Sequence, residues 1–150
     1  MHLLWLKNLS GGHIREVVWH SISVDDGRTW SKPGQIAAPG GNPYGLQVAV
    51  DSAGALHVVF VSTNDKPHDF LYYVRWDRGD WSTPCVVDPD FPVAYAIPAI
   101  AADEDGRVHL VWNRGSRDVA DWADATAVRS VLRSTPTANT IRQGRGIGAR

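Results

Sequence analysis

Short runs of β-branched and aromatic residues, separated by polar turns, make up most of the chain. In its middle, the segments GLQVAVD, ALHVVFVS, FLYYVRW and WSTPCVV follow one another, with Gly, Asp, Asn and Pro between them. Runs of this length with such boundaries predict β-strands. The runs HVVFV and FLYYV are apolar at consecutive positions, which predicts a sheet covered on both faces. The pattern therefore predicts an all-β unit of four antiparallel strands.

The strand pattern returns about every fifty residues. The order His, two aliphatic residues, aromatic residue occurs three times, as HLLW from His2, HVVF from His57 and HLVW from His109. A second motif, WSKP at 30–33, recurs as WSTP at 81–84. A period of this length is typical of propellers and repeat arrays. The last two His copies also share a lead-in, with Asp and Gly at matching places: Asp51 and Gly54, then Asp103 and Gly106.

The repeat predicts a partial β-propeller of four-stranded antiparallel blades, with two to three blades present. Residues 1–112 are assigned to this propeller. Residues 113–150 are predicted to form an irregular loop and an Arg-rich tail, either a degenerate end of the third blade or disordered. The segment DWADATAVRSVL, which begins at Asp121, has an ambiguous period.

Composition narrows the function classes. The 150 residues carry 15 Lys and Arg against 16 Asp and Glu, which gives no support for binding nucleic acid or a membrane surface. No segment is long enough to span a bilayer, and no signal peptide is visible. The single cysteine, Cys85, cannot form an internal disulfide. No cofactor is predicted.

The turn SVDDGRTW, at 23–30, carries polar residues at a defined spacing, S-x-D-x-G-x-T-W. This spacing resembles the Asp-box of sialidases and related propellers. The resemblance covers roughly residues 1–112, because DRGDWS at 77–82 resembles a shortened copy of the box. The matching positions are Ser23, Asp25, Gly27, Thr29 and Trp30 in the first copy, and Asp77, Gly79 and Trp81 in the second.

A structural role is predicted for the box. Asp25 can accept hydrogen bonds from turn amides, Gly27 can take a positive φ, and Trp30 is expected to pack into the seam between neighbouring sheets. The three repeated histidines are likewise predicted to be structural, because a residue that every unit carries serves every unit. No metal site is predicted, since no other ligands converge on these histidines.

The resemblance also indicates where catalysis would lie. YAIPAI at 95–100 resembles the Phe/Tyr-Arg-Ile-Pro segment of sialidases, but Ala96 replaces the Arg that grips the substrate carboxylate. The charged loop after Trp112 corresponds to the loop that carries the acid/base Asp in sialidases; the other interpretation is a solvated loop. The candidates are Asp118, Asp121 and Asp124 for the acid/base, with Arg114 and Arg117 for substrate binding.

Two functions follow from the resemblance. One is an exo-glycosidase of the sialidase-like clan that acts on sialylated glycans, with this chain alone inactive. The alternative is a non-catalytic propeller module that binds glycans or a protein. Sialidase-like propellers have six blades, so the expected partners also include further blades of the parent chain or self-association. The family resemblance implies a secreted or cell-surface location.

Overall fold

The computed structural model of the protein describes residues 1–8, 16–36, 41–63, 69–90, 92–93, 97–114 and 126–133. Within these ranges the chain forms β-strands and no helix, which confirms the all-β prediction. The strands are β1 (His2–Asn8), β2 (Glu16–Ile22), β3 (Gly34–Ile36), β4 (Gly41–Val50), β5 (Leu56–Thr63), β6 (Asp69–Asp77), β7 (Asp80–Trp81), β8 (Cys85–Val86), β9 (Ala99–Ala102), β10 (Arg107–Arg114) and β11 (Thr126–Arg133).

These strands form three antiparallel sheets. The first sheet has the order β1-β2-β3, and the third has the order β11-β10-β9. The second sheet has the order β4-β5-β6, and both β7 and β8 pair with the far edge of β6. The second sheet therefore contains the four predicted strand positions, with its fourth position divided into two short pieces.

The sheets share one pairing register. In each sheet the repeated histidine stands opposite an equivalent residue of the next strand: Ile22 for His2, Arg75 for His57 and Val131 for His109. On the other side, Ala49 stands opposite His57 and Ala101 stands opposite His109. The sequence repeat is therefore a structural repeat.

The WSKP and WSTP motifs make the same backbone contacts in two sheets. The Ser31 amide donates to the Ile22 carbonyl at 2.8 Å, and the Ile22 amide donates to Ser31 Oγ at 3.0 Å. Ser82 and Arg75 make the same two bonds at 2.7 and 2.9 Å. From Ile22 to Arg75 is 53 residues, whereas Trp30 to Trp81 is 51, so the turn of the second sheet is two residues shorter.

The second sheet is covered on both faces, as predicted from its consecutive apolar residues. Val58, Val59, Phe60 and Val61 of β5 are each 0% exposed. The even-numbered members belong to a core cluster with Val18 and other residues of the first sheet. The odd-numbered members belong to a second cluster shared with β10 of the third sheet, which contributes Leu110 and Trp112. The three sheets therefore pack face to face in chain order.

The structure corrects the predicted position of Trp30. Its side chain is 40% exposed and passes over Gly27, instead of filling a seam between sheets. Its repeat counterpart Trp81 does lie in a seam, where it packs against the cluster between the first and second sheets. The difference arises because Trp81 faces the preceding sheet, and the described residues place no sheet before the first one.

The structure describes 113–114 and 126–133 of the segment predicted to be a loop and tail. These residues are strand: Asn113 and Arg114 end β10, and 126–133 forms β11. Strand β11 pairs with β10 along its whole length, from Arg107 opposite Arg133 to Arg114 opposite Thr126. It therefore occupies the third strand position of the third sheet.

Candidate functional site

The turn at 23–30 is held by side chains that bond to its own backbone. Ser23 Oγ accepts a hydrogen bond from the Gly27 amide at 2.8 Å and donates to Asp25 Oδ1 at 2.8 Å. Asp25 Oδ1 also accepts from the Thr29 amide at 2.8 Å, and Oδ2 accepts from the Thr29 hydroxyl at 2.6 Å. Gly27 has a φ of 84°, a conformation that side chains disfavour. Both carboxylate oxygens are thus used within the turn.

These hydrogen bonds also fix the charge of Asp25. The Thr29 hydroxyl, the Thr29 amide and the Ser23 hydroxyl, in that order of effect, lower the pKa of Asp25 to about 2. The carboxylate stays ionised at neutral pH and acts as an acceptor only. An acid/base residue needs a pKa near the working pH, so this geometry suits a turn clamp and not proton transfer.

The shorter turn at 77–82 keeps the Trp position but has a different geometry. Arg78 and Gly79 have φ values of 50° and 108°, as a type I′ hairpin requires at its two central residues. Asp77 Oδ2 lies 3.1 Å from Arg75 Nη1, so this carboxylate pairs with an arginine of its own strand. Asp77 therefore forms an ion pair, whereas Asp25 accepts hydrogen bonds from its own turn.

A continuous chain of hydrogen bonds crosses the second sheet. Asp51 Oδ1 accepts from the amides of Ala53 and Ala55, both at 2.9 Å, and so closes the turn between β4 and β5. Asp51 Oδ2 lies 3.1 Å from His57 Nε2, and His57 Nδ1 lies 2.7 Å from the Tyr73 hydroxyl. The imidazole is 0% exposed. These hydrogen bonds thus connect the β4–β5 turn, the buried His57 and strand β6.

The pKa shifts of Asp51, His57 and Tyr73 indicate which of these groups carry protons. Burial opposes ionisation of Asp51, but hydrogen bonds from His57 and the turn amides outweigh it, so the pKa of Asp51 is lowered. Burial lowers the pKa of His57, against the attraction of Asp51, and raises the pKa of Tyr73. His57 is therefore neutral, donates from Nε2 to the carboxylate, and accepts from the phenol at Nδ1. The His57 and Tyr73 protons thus both have an acceptor within this set of hydrogen bonds.

The third sheet repeats these hydrogen bonds between a turn aspartate, a backbone amide and the repeated histidine. Asp103 Oδ1 accepts from the Arg107 amide at 2.8 Å, and Asp103 Oδ2 lies 2.8 Å from His109 Nε2. The hydrogen bonds from His109 and from the Arg107 amide lower the pKa of Asp103. Both side chains are about 30% exposed, so this copy is more open to water than the Asp51–His57 pair.

The first sheet places a second histidine where the second sheet has Tyr73. His2 Nδ1 lies 2.9 Å from His20 Nε2, and the two rings stack with an interplanar angle of 2°. Trp76 contacts His2 edge-on at a centroid distance of 4.6 Å, and Trp81 contacts His20 at 5.0 Å. Burial, and secondarily repulsion from His2 when that ring is protonated, lowers the pKa of His20 to about 4, and burial and the N-terminal charge lower the pKa of His2. Both imidazoles are therefore neutral at pH 7.

The catalytic candidates fall mostly outside the described residues. This holds for Asp118, Asp121, Asp124 and Arg117, and also for Ala96. Arg114 is the last residue of β10, and its backbone pairs with Thr126. Their predicted roles therefore stay predictions.

Sequence reasoning missed the polar chain through Tyr73 and the histidine pair in the first sheet. One signal was available: Asp51 precedes His57, and Asp103 precedes His109, by the same six residues. Tyr73 and His20 carry no such signal, because each meets its histidine through the pairing of two strands. Their contacts depend on a register that composition and spacing do not specify.

Within the ranges that the structure describes, no group of three or more His, Cys, Asp or Glu side chains is arranged to hold a metal ion. The same ranges include no helix with the length and apolar character that a membrane crossing requires. Comparison of the sequence with models of protein families gives no match, and comparison with curated proteins gives none either.

Proposed function

We propose that this chain forms blades of a sialidase-like Asp-box propeller, and that the protein is an exo-glycosidase acting on sialylated glycans. The observation that carries the proposal is the turn at 23–30. Ser23, Asp25 and Thr29 stand at the Asp-box spacing, and each takes part in the hydrogen bonds that close the turn. The hydrogen bonds of the turn thus support the motif, in addition to its residue spacing.

The packing of the sheets supports the same proposal. Each pair of sheets in sequence buries a shared apolar cluster, and each sheet uses one register around its repeated histidine. Blades that stack around an axis require this order. In the proposed enzyme, the segment between β10 and β11 supplies the acid/base, and its carboxylates Asp118, Asp121 and Asp124 are the candidates.

Sialidases depart from the usual two-carboxylate scheme by using a tyrosine nucleophile. Tyr73 does not suit that role, because its hydroxyl donates to His57 at 2.7 Å and burial raises its pKa. Three of the described carboxylates, those of Asp25, Asp51 and Asp103, are likewise committed to turns. The proposed chemistry therefore depends on other residues, and the polar networks of the sheets serve stability.

One observation favours the alternative, a non-catalytic module that binds glycans. Ala96 stands where the resemblance expects the arginine of the carboxylate clamp. A bidentate guanidinium is the group best suited to a sugar acid, and alanine cannot replace it. Loss of this group argues against turnover of a sugar acid, whereas a module without catalysis has no need of it.

Hydrolysis of a fluorogenic sialoside by the full-length gene product tests the proposal. We expect turnover, and we expect one of Asp118→Asn, Asp121→Asn and Asp124→Asn to reduce kcat by about 100-fold or more, the usual contribution of a general acid/base. Asp105→Asn, on an exposed turn, is the control and should leave turnover unchanged. Turnover that survives all three replacements contradicts the site assignment. Saturable binding of sialyllactose without turnover supports the alternative, and absence of both contradicts both functions.

A further inference from the structure

The contact between the first and second sheets contains a buried histidine, His20 of β2. This residue is 6% exposed. Trp81 of β7 contacts its ring edge-on at a centroid distance of 5.0 Å, and Trp76 of β6 contacts it at 6.1 Å. The ring of His2 on β1 stacks with it at 5.2 Å. His20 therefore packs against side chains of both sheets.

His20 occupies the position that Tyr73 has in the second sheet. Each stands opposite the residue that comes two places after the repeated histidine of its own sheet. Each bonds to Nδ1 of that histidine, at 2.7 Å from Tyr73 to His57 and at 2.9 Å from His20 to His2. A phenol cannot become a cation, whereas a neutral imidazole can take up a second proton near neutral pH. The same position is thus insensitive to acid in the second sheet and open to protonation in the first.

Charged side chains on the neighbouring strands stand on the faces that point away from this contact. They alternate along β1, β6 and β7 with the residues that pack between the two sheets, and alternate residues of a strand face opposite sides. The members are Lys7 of β1, Arg75 and Asp77 of β6, and Asp80 of β7. Glu16 shares a face of β2 with His20 but stands four residues before it, about 13 Å along the strand. Within the described ranges, the His20 ring bonds to His2, and a positive charge on it would have no carboxylate partner there.

The other groups around His20 do not favour a positive charge either. Strands β3 and β4 carry no charged residue. The phenol of Tyr72 on β6 belongs to the cluster between the two sheets and is uncharged in acidic and neutral solution. The Met1 ammonium group is itself positive and, after burial, lowers the pKa of His2. Burial, followed by repulsion from a protonated His2, lowers the pKa of His20 to about 4. The packed contact therefore holds a neutral His20 ring.

We propose that protonation of His20 opens the contact between the first and second sheets, so that these two sheets separate reversibly in mildly acidic solution. In the open state the ring is in water, where a histidine has its ordinary pKa of about 6.5. The open state then binds more protons than the closed state, and acid shifts the equilibrium toward it. The opening constant should rise about tenfold for each pH unit below the ordinary pKa, and should level off below the pKa of the closed state. This property of the fold goes beyond the glycan function and does not depend on it.

Hydrogen exchange of the backbone amides measures this opening. Exchange rates of β2 and β10 amides in the full chain, corrected for the intrinsic effect of pH on exchange, give an opening constant for each strand. Between pH 6 and pH 4.5 we expect the constant for β2 to rise about tenfold per pH unit, and that for β10 to rise clearly less. A constant for β2 that does not change with pH overturns the proposal. An equal rise in both strands also overturns it, because acid would then unfold the whole chain.

Two substitutions of His20 separate its charge from its packing. His20→Tyr supplies the residue type that the second sheet has at this position, and His20→Gln keeps a neutral donor toward His2. We expect both to remove the acid-dependent rise for β2, whatever their opening constant at pH 7. His109→Gln, the same change at a histidine of the third sheet, is the matched control and should leave the rise unchanged. A rise that persists in both His20 variants overturns the proposal.

An NMR titration of the His20 ring in the unsubstituted protein gives a second measurement that needs no variant. We expect its midpoint to lie below the ordinary histidine pKa of about 6.5, and the opening of β2 to increase as the ring takes up its proton. A ring that becomes protonated while the constant for β2 stays at its value at pH 7 contradicts the proposal.

Discussion

Replacement of Asp51 by alanine is expected to lower the free energy of unfolding by about 1–3 kcal/mol, the usual cost of leaving a buried hydrogen-bond donor without its acceptor. Asp51 has a side chain that is 3% exposed and accepts from His57 and from two turn amides. Without it, the Nε2 proton of His57 would be buried and unpaired. Urea unfolding followed by tryptophan fluorescence measures the loss.

Two variants serve as controls for this prediction. Asp51→Asn keeps the shape and can still accept from the turn amides, so we expect a smaller loss than for alanine. Asp103→Ala removes the equivalent carboxylate from a pair that water reaches, so its effect should also be clearly smaller. Equal effects of Asp51→Ala and Asp103→Ala would contradict the assigned difference in burial.

Trp112→Ala is expected to cost about 3–5 kcal/mol, the usual range for deleting a buried aromatic side chain. Trp112 is 2% exposed and belongs to the cluster that the second and third sheets share. The cavity would open between two sheets and not within one. Thermal and urea unfolding of the variant measure the cost.

The neighbouring residue provides the matched control. Val111 is on the opposite face of β10 and is 43% exposed. Val111→Ala should change the free energy of unfolding by no more than about 0.5 kcal/mol, as exposed substitutions generally do. A similar cost for Trp112→Ala and Val111→Ala would show that the third sheet does not pack on the second.

Local patterns predicted the second sheet best. The runs in β5 and β6 are apolar at consecutive positions, and such a run can only be stable when both faces are buried. The repeat also predicted which residues are equivalent, because His57 and His109 both stand opposite an alanine and both bond an aspartate. These features depend on short-range order along the chain, which a single sequence displays.

Features that depend on a neighbouring sheet were harder to predict. Trp30 and Trp81 share a motif, yet only Trp81 finds a surface to pack on, because the burial of each ring is decided by the adjacent sheet. The residues of β11 had an ambiguous period, and their strand conformation follows from pairing with β10. Strand preference depends strongly on such context. Tyr73 meets His57 only because the register of β5 and β6 aligns them.

The stacking of three sheets in chain order is tested most directly by NOEs between methyl groups of different sheets in a methyl-labelled sample. Val58 and Val59 are consecutive residues of β5 whose side chains belong to different clusters. We predict NOEs from Val58 methyl groups to Val18 of the first sheet, and from Val59 methyl groups to Leu110 of the third. NOEs from both valines to one and the same sheet, or to neither, would contradict the stacked arrangement.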